Sequence, residues 1–314
     1  MQASDIQQSF NMINDKYRNQ FYFNALQNVK DKVVLDVGSG LGVLSSYALH
    51  HGAKFVYAVE RGRKESIISN KILTKNFSKK NFKVINADFW SKNIFENFDH
   101  DIDVMVSETI NYDILGEGIL KTWRQIKNIA HQNFTAIPNQ FKFNLLIFEN
   151  PLDKFVWFRK RFELIHENLL HEGFANSLAN VYEKSKSSQL LYEFPVSQCH
   201  HADKILHNVI NLTFKSYNDD GIKFQCDVDK PSLIMLDGTL IAEDNQLHIH
   251  NQKNPTHWSN GLSMYLPEKG TYEISFEENA TSNLVKWTNV STASNIWPYN
   301  CTWTYKKIDG EYNR

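Results

Sequence analysis

Two glutamates, Glu108 and Glu117, stand nine residues apart in the stretch Asp101-Ile-Asp-Val-Met-Val-Ser-Glu108-Thr-Ile-Asn-Tyr-Asp-Ile-Leu-Gly-Glu117. The residues before Glu108 read as a strand, so both glutamates fall in the loop beyond its C-terminal end. From Asp99 to Glu117 there are six acidic residues and no Lys or Arg. Two carboxylates converging on one pocket suit a planar cation, because a guanidinium presents a fork of N–H donors that carboxylates accept in pairs. A solvated turn has the same composition, so the weight of this reading rests on what lies upstream.

Upstream is a glycine loop, Asp36-Val-Gly38-Ser-Gly40-Leu-Gly42, placed between a strand-like run and a helix-like run. Its glycines allow a tight turn and a close approach of backbone to ligand. Glu60 ends the next strand, 22 residues beyond Gly38, where an acid accepts hydrogen bonds from ribose hydroxyls. A GxG with a downstream acid serves NAD as well. The GxGxG spacing, with Asp36 before the first glycine, is more usual for S-adenosylmethionine. Asp88, at the expected end of the third strand, is in place to reach an adenine amino group, although a strand-terminal acid needs no such role. Together the loop and the glutamates point to methyl transfer onto a cationic nitrogen.

The elements that position these residues follow from periodicity. Ser4-Asp-Ile-Gln7 has the form of a capping box, and Ile6, Phe10, Ile13, Tyr17 and Phe21 recur at helical spacing. One helix is expected there, with Met12, Asp15 and Asn19 on a second face and Arg18 beside it. Strands at 32–37, 55–60, 82–88 and 101–107 alternate with helices at 42–51, 64–76 and 116–131, and 135–137 leads to Pro138. Such alternation implies a doubly wound parallel sheet with ligands at the C-terminal ends of its strands. Beyond Pro138 the texture becomes antiparallel, with strands expected at 141–148, 209–217, 222–228, 233–242, 247–250, 262–266 and 271–276. Residues 151–195 read as more helical.

Composition bounds the partners. The chain has 314 residues, 42% of them hydrophobic and 13% aromatic, enough for a sizeable core. A net charge of −1 gives no reason to expect nucleic acid. No apolar run is long enough for a transmembrane helix, and the N-terminus lacks the pattern of a signal peptide, so no membrane partner and a cytoplasmic location are expected. Cys199, Cys226 and Cys301 have no metal-ligand spacing, and no metal is expected.

With these residues in view, the chain resembles the protein arginine methyltransferase family from about residue 9 to at least residue 290. Four motifs in order carry the resemblance: Met12-Ile-Asn-Asp15-Lys-Tyr-Arg18, the run Val33 to Ser45 with Glu60, Ser107-Glu108 through Glu117, and Thr256-His257-Trp258. The resemblance implies an α/β fold, with a Rossmann-like methyltransferase sheet (1–138) followed by a mostly antiparallel β-barrel substrate domain (139–314). It also implies a helical arm near 151–195 that docks on a second copy to form a homodimer. Arg18 is implied to bind the cofactor's carboxylate, alongside Asp36, Gly38, Gly40, Gly42, Glu60 and Asp88. Met12, Tyr112 and Trp258 are placed on the acceptor side. This sequence departs from the family at Thr109-Ile-Asn-Tyr112, where Trp-Met-Gly-Tyr is usual, and at Gly118-Ile119 after the second glutamate.

The chemistry expected is an in-line displacement at the methyl group, in which positioning supplies much of the rate. Glu108 and Glu117 grip the guanidinium, and His257, hydrogen-bonded to Asp15, removes the proton released. In this reading the site forms when the N-terminal helix and the barrel close together. The acceptor is an arginine-containing protein or peptide. A free arginine or another small guanidino compound uses the same chemistry, and an inactive cofactor-binding regulatory partner is a third reading.

Overall fold

The structure is a computed structural model that describes residues 11–111, 115–160, 191–218, 221–250, 256–258, 260–278 and 301–308. The chain divides into two compact units, one formed by Met1–Phe143, Asn211–Asp219 and Gly238–Ser259, the other by the remaining segments.

In the first unit, β1 (Val33–Val37), β2 (Phe55–Glu60), β3 (Phe82–Asn86), β4 (Val104–Ser107) and β5 (Thr135–Ile137) form a parallel sheet in the order β3-β2-β1-β4-β5. Every residue of β1 is buried, which is why its sequence reads as an unbroken apolar run around Asp36. Val37 pairs with Val59 on one side and Ser107 on the other. The C-terminal ends of β1, β2 and β4 therefore lie abreast, and strand order reverses at β1, where α/β sheets bind ligands. Helices α1 (Lys16–Ala25), α2 (Val43–His50), α3 (Arg63–Asn76) and α4 (Ile119–Lys127) belong to this unit. On α4, Ile119, Leu120, Trp123 and Ile126 are buried at helical spacing.

Three boundaries differ from expectation. The expected single N-terminal helix breaks at Asp15, which is extended (φ −72°, ψ 93°) and caps α1 by accepting the Arg18 amide. A short acidic side chain that satisfies a free helix-end amide favours this break over a continuous helix. Ile13, expected in the buried stripe, is accordingly 40% exposed, while Ser4, Ile6 and Phe10 lie outside the described residues. The helix expected from residue 116 starts at Ile119, because Gly118 caps it in the left-handed region at φ 89°. The third strand ends at Asn86, which leaves Asp88 in the loop beyond it.

Also in this unit, residues Thr239–Ala242 of β10 (Ser232–Ala242) pair with β11 (Asn245–His248), and α1 packs on β11. The second unit is antiparallel. There β12 (Asn260–Leu266) pairs with β7 (Leu191–Pro195) and with Ser232–Met235 of β10, while β13 (Gly270–Glu278) lies between β9 (Ile222–Val228) and β14 (Cys301–Lys307). Strand β9 alternates strictly, with Ile222, Phe224, Cys226 and Val228 inward. Leu146 and Phe148 of β6 (Gln140–Glu149) pack with Phe155, Phe158, Leu233 and Met235. The expected fold class stands: a parallel Rossmann-like sheet followed by mostly antiparallel strands.

The strand expected at 209–217 is β8, at Lys204–Thr213. Asn208 interrupts it in the left-handed region (φ 53°), which resets the alternation and hides the first half of the strand from a period-two reading. Strand β7 falls inside the stretch expected to be helical; of that stretch, 161–190 lies outside the described residues.

Candidate active site

The site grows from Asp15. Its Oδ1 accepts the Arg18 amide at 2.8 Å, while Oδ2 accepts the His257 amide at 2.7 Å and faces His257 Nδ1 at 2.8 Å. Burial works to raise the Asp15 pKa, but the hydrogen bonds from His257 and Arg18 outweigh it, and the carboxyl is held below its usual range. An anionic carboxylate at Nδ1 favours a proton on that nitrogen and leaves Nε2 as the basic atom of the ring. Trp258 stacks beside the imidazole at 3.9 Å between centroids, and its indole N–H donates to the Ile110 carbonyl at 3.2 Å. Thr256 anchors the turn through Oγ1 to the Ile249 carbonyl. Residues 256–258 and Asp15 belong to the same compact unit, so the Asp15–His257 pair is complete within it.

Three residues along α1 from its cap, Arg18 is enclosed. Its Nη2 donates to Glu108 Oε2 at 2.8 Å, its Nη1 donates to Asn19 Oδ1 at 3.0 Å, and its guanidinium carbon lies 5.4 Å from the Tyr22 ring centroid. Burial pulls the Arg18 pKa down, yet Glu108 above all, with Tyr22 and Asp15, brings the net shift upward. Glu108 directly follows β4 and is 7% exposed. The loop it opens is tied to the glycine loop. Ser107 Oγ donates to the Val37 carbonyl at 3.0 Å and pairs with Thr109 Oγ1 at 3.1 Å. The Thr109 methyl stands 3.0 Å from where a Cβ on Gly38 would sit, a crowded contact that adds to the preference for glycine set by its φ of 72°.

The glycine loop is stapled on its other side. Glu60 accepts the Gly40 amide through Oε2 at 2.8 Å and the Gly62 amide through Oε1 at 2.6 Å. Burial pushes its pKa up against those two bonds. Asp36 is fully buried, and its Oδ2 accepts both the amide and the hydroxyl of Ser45 in the first turn of α2. Burial raises its pKa to about 7. Gly42 caps α2 at φ 83°, where a Cβ would meet Ser69 Oγ at 2.5 Å.

Among the described residues, Arg18 Nε, Asp36 Oδ1 and Ser39 Oγ are buried without a hydrogen-bond partner. A Cβ on Gly40 would meet nothing within 4 Å. Buried polar atoms without partners are costly, and Asp36 Oδ1 and Ser39 Oγ, beside and within the glycine turn, fit a polar ligand there.

The remaining candidates are placed as follows. Asp88 accepts the Trp90 amide through Oδ1 at 2.8 Å. Glu117 is half-buried in the turn before α4, and Met12 is half-buried in the helical turn before Asp15. Tyr112 lies outside the described residues. Asn19 entered the sequence reading only as part of a helix face, Ser107 and Thr109 only as parts of the loop motif, and Tyr22 not at all. Tyr22 has the one legible signal, four residues after Arg18 on the same helical face.

A model of the FtsJ-like methyltransferase family matches residues 11–168. Protein arginine N-methyltransferase 9 from Xenopus laevis is 35% identical over 116 residues, 36% of this chain and 14% of that protein. Protein arginine N-methyltransferase 7 from Rattus norvegicus is 33% identical over 142 residues, 41% of this chain and 20% of that protein. The chain thus spans a fifth or less of the length of these relatives. Among solved structures, the Trypanosoma brucei PRMT1 enzyme-prozyme heterotetrameric complex with AdoHcy superposes with a TM-score of 0.60 at 17% identity, covering 87% of this chain and 89% of that one. The resemblance noted from the four motifs is borne out.

Proposed function

Because the chain belongs to the FtsJ-like methyltransferase family, we propose that it is an S-adenosylmethionine-dependent N-methyltransferase whose acceptor is the guanidinium of arginine. One observation carries this reading. Glu108, buried at the β4 end of the sheet, already grips a guanidinium, that of Arg18, at 2.8 Å. The chemistry that would recognise the acceptor is thus native to this carboxylate, and Glu117 follows nine residues later in the sequence.

The residue roles follow. Arg18, Gly38, Gly40, Gly42, Glu60, Asp36 and Asp88 hold the cofactor, with Arg18 on its carboxylate, Glu60 on its ribose and Asp88 on its adenine. When bound, the cofactor supplies a methyl group activated by its sulfonium. Glu108 and Glu117 hold the acceptor guanidinium, draw its positive charge toward the nitrogens they touch and aim the remaining nitrogen. Met12, Tyr112 and Trp258 wall the acceptor channel. As the new N–C bond forms, His257 Nε2 takes the proton that the acceptor nitrogen loses, and Asp15 stabilises the imidazolium that results.

The proposal extends to organisation. Residues 1–138 act as the cofactor domain and 139–314 as the substrate domain, and the segment near 151–195 serves as a dimerisation arm in a homodimer. The solved trypanosome relative is itself a heterotetramer by its description. A cytoplasmic location is supported by the free Cys199 and Cys226, and among the described residues no helix is long and apolar enough to cross a membrane.

Mass spectrometry of methyl transfer, with arginine-rich peptides and free arginine offered in parallel, tests the reading. Methylated peptide is the expected result. Methylation of free arginine alone would move the activity to a small guanidino compound, and methylation of neither would remove arginine as the acceptor.

A further inference from the structure

The loop after β3 and the start of α4 are joined by contacts that the methyl-transfer chemistry does not use. Trp90 Nε1 donates to Thr122 Oγ1 at 3.2 Å, Lys121 Nζ lies 4.4 Å from the Trp90 ring centroid, and Gln125 Nε2 donates to the Phe89 carbonyl. Behind Trp90, its own amide donates to Asp88 Oδ1. Ahead of it, Thr122 is fully buried and its amide donates to the Gly118 carbonyl at 3.0 Å. Gly118 directly follows Glu117. A continuous path of directional bonds thus runs from the Asp88 carboxylate through the Trp90 backbone and indole and the Thr122 hydroxyl to the residue beside Glu117.

The two ends of the acceptor loop are therefore tied to different ends of the cofactor site. The Glu108 end is bound to Arg18 and, through Ser107 and Thr109, to Val37 and Gly38. The Glu117 end is bound, through α4 and Trp90, to the loop that carries Asp88. Asp88 is thus one hydrogen bond from the Trp90 amide, and the part-buried indole–hydroxyl bond joins Trp90 to the first turn of α4.

We propose that Trp90 is a positioning residue that couples occupancy of the adenine end of the cofactor site to the placement of Glu117. The acceptor pocket then takes its working shape only after the cofactor's nucleoside is in place, and binding is ordered. This rests on the assignment of Asp88 and Glu117 under the proposed function.

Hydrogen exchange of the amides at 115–122, with and without S-adenosylhomocysteine, tests the coupling in the wild type, Trp90→Phe and Thr122→Val. The first variant keeps a ring beside Lys121 but loses the indole donor. The second keeps the volume of Thr122 and loses the acceptor. The wild type is expected to gain about 10-fold protection in this segment on ligand binding, and each variant less than about 2-fold, with no further loss in the double variant. A merely structural role would raise exchange equally with and without ligand. Protection in both variants equal to the wild type's would overturn the proposal. Calorimetry on the same samples separates the other failure: if the wild type binds no S-adenosylhomocysteine, the assignment of the cofactor site falls, and the coupling falls with it.

Discussion

Arg18 Nη2 lies 2.8 Å from Glu108 Oε2, and the two side chains are only 5% and 4% exposed. One partner comes from α1 and the other from the end of β4, so the pair pins the N-terminal helix to the sheet. It also places, inside one buried contact, the residue proposed to hold the cofactor's carboxylate and the residue proposed to hold the acceptor. Buried pairs of this kind add little net stability over an apolar pair, but breaking one leaves an uncompensated charge.

Arg18→Met is therefore expected to destabilise the protein by about 3–5 kcal/mol, because Glu108 remains buried and unpaired. Combining it with Glu108→Gln should recover most of that loss while methyl transfer stays abolished. Urea unfolding of the wild type and both variants measures this. Equal stability of Arg18→Met and the wild type would mean that the pair is not buried in solution.

Asp15 caps α1 and is proposed to serve His257 in proton handling, and two substitutions weigh these roles against each other. Asn caps helices about as well as Asp, so Asp15→Asn keeps the bond to the Arg18 amide, which Asp15→Ala loses at a further cost of about 1 kcal/mol. With its oxygen kept on the Arg18 amide, the Asn variant loses the charge opposite His257 Nδ1 and puts an amide donor where His257 found its acceptor, and its turnover is expected to fall by about 100-fold. Unchanged turnover in Asp15→Asn, read beside intact thermal stability, would remove Asp15 from proton handling.

Much of this site was legible in the sequence for a physical reason. Asp36, the glycines, Glu60 and Glu108 sit at strand ends, and continuous apolar runs locate parallel strand ends well. Arg18 and His257 carried no local signal and became visible only through the motifs around them. What periodicity missed were places where one side chain overrides the pattern: Asp15 ending a helix, Gly118 delaying one, Asn208 resetting a strand. The ties around the loop, Ser107 to Thr109 and Trp90 to Thr122, join residues of unremarkable type. Their roles come from register and loop path rather than from spacing.

Asp36 gives a pH signature. Its folded pKa, pushed up by burial to about 7, exceeds the ordinary value near 4. A carboxyl raised on folding contributes stability that is fully present below the unfolded pKa and is lost as pH rises through the folded one. Between about pH 4 and 7 the wild type should therefore lose up to about 1.4 kcal/mol per pH unit relative to Asp36→Asn, whose side chain still accepts from Ser45. Unfolding free energies of both proteins at pH 5, 6 and 7 check this, and parallel pH profiles would show that Asp36 stays ionised throughout.

The central claim is that Glu108 holds the acceptor guanidinium. Glu108→Gln keeps an oxygen for Arg18 but removes the charge that the acceptor needs. The decisive measurement is single-turnover methyl transfer to an arginine-containing substrate, made beside S-adenosylhomocysteine affinity on the same protein. The account predicts a loss of at least about 100-fold in transfer, with affinity for the cofactor product within about 3-fold of the wild type. Full transfer by Glu108→Gln would contradict it.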